Sequence, residues 1–250
     1  MLIHIPHSSI HIPDDVRAEI ILDEYNLRQE SLLITDRYTD ELFETDSVFL
    51  HQNIYSRLVF DPERFRNDED ELMAAIGMGA IYSKTSTGDV LREQDSEKRS
   101  AMIEKYYDPY HEQLTQKADD ILGRYGRCLI VDGHSFPSYP FMFEKNKEKP
   151  RPDICIGTDD YHTPDNITIQ LEDFIHDNGY STDRNHPFGG TLVPMKFYRK
   201  NKNIISVMIE INRRLYMDES NGEKNKTFNL TKGFIQNLIK FLIENYCKRG

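Results

Sequence analysis

The chain has 250 residues, with 42 acidic against 31 basic side chains and a formal net charge of -11, which argues against a nucleic-acid or anionic-membrane partner. There is no Pro/Gly/Ser-rich linker, low-complexity run or internal repeat, so one α/β domain spanning 1–250 is expected. No apolar run approaches the ~20 residues of a membrane helix and no basic-then-apolar leader opens the chain. Three widely spaced cysteines without a CxxC pair suit reduced thiols in a cytoplasm and exclude a cysteine-type structural zinc.

In chain order, residues 2–6 read as a short strand, closed by Pro6 and followed by a loop over 7–13. From 14 to about 43 the pattern is helical in two pieces. In the second piece Leu32, Asp36, Thr39 and Phe43 share a helical stripe. Residues 48–50 and 54–60 read as a pair of strands, ended by Asp61-Pro62-Glu63-Arg64. Acidic residues 68–71 read as exposed, and 77–80 and 82–88 as loop with a short strand. The segment 95–125 is the clearest helix, interrupted at Pro109 and stopped by Gly126. The unbroken apolar run Cys128-Leu129-Ile130-Val131 leads a strand over 128–136, a pattern that suits a parallel strand covered on both faces. A polar loop over 137–152, a strand over 153–157, a helix over 166–178, a turn-rich loop over 185–191, a strand over 204–211 and a helix over 230–247 complete the chain. Strands alternating with helices predict a three-layer α/β/α sandwich on a mostly parallel mixed sheet.

In such sheets ligands bind beyond the carboxyl ends of the strands. His7-Ser8 follows the first strand and His134-Ser135 ends the 128–136 strand, so two imidazoles stand where a metal site would form. Three protein ligands and an open position are what a hydrolytic zinc needs. Asp36, an acid on an apolar stripe, is one candidate third ligand. Asp132 is the other, or else it orients a ligating histidine from behind. Glu210 is the only charged side chain in the run 204–211. A carboxylate there needs a cation, a metal or a proton, so it is either a general base or the partner of Arg213 or Arg214. Arg57, Asp61 and Arg64 form a compact charged group that either grips an acidic substrate or pairs at the surface. Gly189-Gly190 either turns the chain or offers backbone N–H groups to an oxyanion. His111, alone on the inner face of the long helix, reads as a core residue.

These residues sit in an ordered set of motifs: IPHSS (5–9), SRLVFDPERF (56–65), YYDPYH (106–111), LIVDGHSF (129–136), PDICIGT (152–158), HPFGGT (186–191) and IEINRRLYMDE (209–219). The set resembles the N-formylglutamate amidohydrolase family, which is similar to the zinc carboxypeptidases. The resemblance implies a zinc-exopeptidase-like core, one Zn2+ ion on His7 and His134, and Glu210 as general base. It also implies a small acidic N-acyl amino acid as substrate, held through Arg57 and Arg64. The carboxypeptidase pattern has a ligating glutamate three residues after the first histidine; here that position is Ile10, which strengthens Asp36 as the replacement. The family's glycine after PHS is Ser9 here. Its Asp-x-Asn-Arg pattern becomes Asp61-Pro62-Glu63-Arg64, and its glycine loop before Thr191 is one residue short. These departures border the substrate. The rival readings are a metallo-carboxypeptidase or deacylase of other specificity and a non-catalytic binding protein. A serine hydrolase lacks its G-x-S-x-G turn.

Overall fold

The computed structural model describes residues 1–46, 48–142, 144 and 150–247. Its elements, in chain order, are β1 (Leu2–Ile5), α1 (Asp14–Arg17), α2 (Glu24–Ile34), α3 (Thr39–Leu42), β2 (Phe49–Gln52), α4 (Ser96–Met102), α5 (Asp108–Tyr125), β3 (Cys128–Phe136) and β4 (Ile154–Gly157). The chain continues through α6 (Asp165–Asp177), β5 (Thr182–Arg184), β6 (Ile204–Asn212), β7 (Met217–Asp218), β8 (Glu223–Lys224) and α7 (Phe228–Leu242). Residues 143 and 145–149 of the expected 137–152 loop lie outside the described residues.

Six strands form one sheet in the order β2-β1-β3-β6-β4-β5. β2, β1, β3 and β6 run parallel; β4 runs antiparallel to β6 and parallel to β5. The two long central strands, β3 and β6, are buried along their length, which is why their sequences read as unbroken apolar runs. Side chains alternate between the faces. Leu129, Val131, Val207, Ile209 and Ile211 pack with α6 and α7 in one cluster. Leu2, Cys128, Ile130 and Ile204 pack with α4 and α5 in another. A smaller cluster ties α2 to the 78–91 segment through Leu27, Ile34, Leu58, Tyr82 and Leu91. The expected three-layer sandwich is the observed one. Ile235, Leu238, Ile239 and Leu242 hold α7 down from one stripe, each fully buried and each worth roughly 1.5–3 kcal/mol of transfer free energy.

Three local expectations differ. The 95–125 helix is divided as expected, but through a π-helical turn at Ile103–Tyr107, which places Pro109 in the first turn of α5, where its missing N–H leaves no bond unmade. Residues 54–60 form no strand. Asn53 Oδ1 accepts from Tyr55 N (3.0 Å) and Ser56 Oγ from Leu58 N (3.2 Å), so polar side chains turn the backbone locally. The apolar Leu58, Val59 and Phe60 are buried without a ladder. The stripe through Leu32 and Phe43 is not helical throughout either. α2 stops at Ile34, Thr35 is extended, and Asp36 N donates to His7 O (2.9 Å).

Candidate active site

Because side chains alternate along a strand, Cys128, Ile130, Asp132 and His134 all face α5. At the carboxyl end of that face the apolar residues give way to Asp132 and His134. His134 lies opposite Glu210 on β6, and Asp132 lies opposite His4 on β1. His7 follows β1 past Pro6, and the bond from Asp36 N to His7 O draws the α2–α3 connection over the same end. His7, Asp36, His134 and Glu210, remote in sequence, thus converge, and all four are buried.

Each imidazole is held through Nε2. His7 Nε2–H donates to Asp61 Oδ1 at 2.8 Å. His134 Nε2 lies 3.1 Å from both Asp132 Oδ1 and Glu63 Oε2. Their Nδ1 atoms turn the other way, toward Asp36 Oδ2, at 3.6 Å from His7 and 3.2 Å from His134. Asp36 Oδ1 accepts from Ser135 Oγ (3.1 Å) and from the Arg213 guanidinium (3.0 Å). Burial opposes the ionisation of Asp36, but His134, His7 and Arg213 overcome it and keep the carboxyl well below the usual range. For Asp132 burial is likewise outweighed by His134 and His4, whose Nδ1 lies 2.7 Å away. Asp61 is held ionised against burial by Arg57 and His7.

Two buried polar atoms at this centre have no hydrogen-bond partner, His7 Nδ1 and Glu210 Oε2. Burial pushes the Glu210 carboxyl up to about 8, tempered by His134. Arg213, one suggested partner of Glu210, bonds Asp36 and Ser135 instead; Arg214 pairs with Asp153 at 2.7 Å. An orphan imidazole nitrogen beside a carboxylate and a second imidazole, each ring fixed from behind by an acid, is the donor set a divalent ion takes. Among the described residues, two sets bring one donor atom each within 4.8 Å of one another and fit such an ion: His7, Glu63 and His134, and His4, Glu63 and Asp132; Asp36 stands beside the first set without belonging to it.

A cavity of about 320 Å³ adjoins this centre, lined among others by Glu63, Arg64, His111, Asp132, Gly189 and Gly190. Arg57 does not line it. Its guanidinium donates to Asp61 Oδ2 (2.9 Å) and to Ile34 O (3.3 Å), which turns it inward. His111 does line it, its ring tilted 38° to that of Tyr107 with centroids 4.2 Å apart. Sequence reasoning passed over His4 and placed Glu63 only at the border of the substrate, without a part at the centre. His4 carries the signal that singled out Glu210, a lone polar side chain within an apolar strand, and it bonds both Asp132 and Tyr110 OH (2.6 Å). Glu63 sits on an irregular turn where no periodicity marks a face.

The model of the N-formylglutamate amidohydrolase family matches residues 1–217. A crystal structure of N-formylglutamate amidohydrolase from Ralstonia eutropha JMP134 superposes with a TM-score of 0.83 at 23% identity, covering 97% of this chain and 92% of that one. A crystal structure of a gene product from Agrobacterium tumefaciens superposes with a TM-score of 0.66 at 18% identity, covering 99% and 91%. At such identities the likeness is one of fold. No curated protein matches the chain.

Proposed function

Because the chain belongs to the N-formylglutamate amidohydrolase family, we propose that it hydrolyses the amide bond of an N-formyl or other short N-acyl amino acid, releasing formate or the corresponding acid and the free amino acid. N-formyl-L-glutamate, the family's namesake, is the reference substrate. The observation that carries the reading is the pair of buried, unpartnered atoms, His7 Nδ1 and Glu210 Oε2, beside one carboxylate and one further imidazole. One zinc ion held by His7, Asp36 and His134 would supply Lewis acidity and a water acidified to near neutrality.

The remaining work falls to the chain's own groups. Glu210, with Oε2 unpartnered in the crevice, takes the proton of the attacking water there. It delivers that proton to the leaving nitrogen as the C–N bond breaks. Asp61 and Asp132 fix the two rings through Nε2 and turn both Nδ1 atoms toward Asp36. Arg64 anchors the substrate carboxylate from the cavity wall, with Arg57 holding Asp61 behind it. The Gly189 and Gly190 backbone, also on that wall, is proposed to face the oxyanion. We read residues 1–250 as one catalytic unit in a reducing cytoplasm, where Cys128, Cys155 and Cys247 stay as free thiols.

The test is turnover by zinc-supplied protein on a panel of N-formyl and N-acyl amino acids, scored as released amine. Stoichiometric zinc and hydrolysis are expected, with Glu210→Gln lowering kcat by about 10²–10⁴ while one zinc per chain remains. Zinc-free protein that resists reconstitution and hydrolyses nothing would identify a binding module.

A further inference from the structure

The cavity beside the candidate centre has an uneven lining. Phe65, Leu192, Val193, Met195, Tyr198 and Met208 make much of its wall apolar. Two of these, Phe65 and Met195, are 50% and 60% exposed, an apolar surface left to water at the mouth of a pocket. Among the described residues lining it, Arg64 is the only arginine or lysine. His111 adds no charge near pH 7, because burial draws its imidazole down to about 4. The acids outnumber the cation: Glu63, Asp132 and Asp159 share the same wall. Asp132 is engaged by His4, His134 and Leu192 N, and Asp159 accepts from the Tyr161 and His162 amides and stands 3.8 Å from the Arg199 guanidinium. Glu63, like Asp132, stands 3.1 Å from His134.

From this arrangement we infer that the cavity selects N-acyl amino acids with a neutral, apolar side chain, of the leucine or methionine kind, over acidic ones such as N-formylglutamate. The inference rests on the amidohydrolase reading and narrows its substrate class. The α-carboxylate common to all such substrates meets Arg64. A second carboxylate finds no further cation on the wall. It enters a partly desolvated space beside Glu63, where like charges repel more strongly than in water. An apolar side chain instead covers Phe65 and Met195 and leaves water together with them.

Calorimetric titration of N-formyl-L-leucine, N-formyl-L-methionine and N-formyl-L-glutamate into zinc-supplied Glu210→Gln protein reads the cavity without turnover. Binding of the apolar compounds at least about tenfold tighter is expected. Equal or reversed affinities, or no binding of any, overturn the selectivity. The same panel on the wild-type protein separates the two ideas. Apolar-selective binding with no hydrolysis of any compound sinks the amidohydrolase reading and leaves the selectivity standing, whereas hydrolysis favouring N-formylglutamate does the reverse. A Glu63→Gln variant is expected to narrow the leucine-to-glutamate binding ratio by about threefold or more. An unchanged ratio removes Glu63 as its source.

Discussion

Five groups meet at Asp61. His7 Nε2 and the Glu63 amide share Oδ1 (2.8 and 3.0 Å), while the Arg57 guanidinium (2.9 Å) and Tyr82 OH (2.6 Å) meet at Oδ2. Arg64 Nε stands 3.7 Å from Oδ2. A carboxylate so surrounded has no room to act on a substrate, but it sets the orientation of one ring and of the turn that carries Glu63. Asp61→Asn keeps the shape and removes the charge. Zinc affinity, read by competition with a chelating dye, is expected to fall roughly 10–100-fold. Unchanged affinity would show that the His7 ring holds itself. The variant also leaves Arg57 buried without its anion, so a lower unfolding midpoint is expected alongside. At this scale the sequence was informative wherever a polar residue interrupted a strand, as at His134 and Glu210. It put Glu63 near the substrate but not beside His134, because an irregular turn gives no rule for which side chain points inward.

At the scale of elements, α2 is fastened to the segment around Ser86 by one buried side chain. Glu30 accepts from Ser86 N (2.7 Å) and Ser86 Oγ (2.8 Å). Burial raises its carboxyl above the ordinary value despite those two bonds. The folded protein therefore binds this proton more tightly than the unfolded chain, and the contribution is fully present below the unfolded pKa. It is lost as pH climbs through the raised folded value. Glu30→Gln is expected to flatten that decline, so urea midpoints of the two proteins should converge or cross as pH rises from about 4 to 7. Parallel slopes would show that folding does not shift the Glu30 carboxyl. The strands 128–136 and 204–211 were legible because both of their faces are covered. The 54–60 segment was misread because residues buried by turns mimic a strand's composition. The direction of β4 was not legible at all, since four apolar residues look the same whichever way they run.

For the whole molecule, the candidate centre draws on positions 7, 36, 134 and 210 and is backed by 61 and 132. These positions span the N-terminal strand, the first helical connection and the two central strands. An ion bound there ties segments that only the folded chain brings together. Removing it with a chelator is expected to lower the unfolding midpoint, and restoring zinc at 100–1,000 times its Kd should return roughly 3–4 kcal/mol. An unfolding curve indifferent to chelator and to added zinc would mean that the convergent donors hold no ion. The layer architecture followed from the alternation of elements alone, whereas the site's inner wiring needed contacts between residues more than a hundred positions apart, such as His4 with Asp132. One feature of the sheet bears on how such a catalyst can be altered. Because β4 runs against β6, the last residue of β3 and the first of β4 stand beside the neighbouring residues Asn212 and Ile211. The chain thus leaves β3 and enters β4 at the same end of the sheet, on either side of β6. A segment borrowed from elsewhere could be spliced between those two positions without rethreading any strand, which leaves the proton-handling groups untouched.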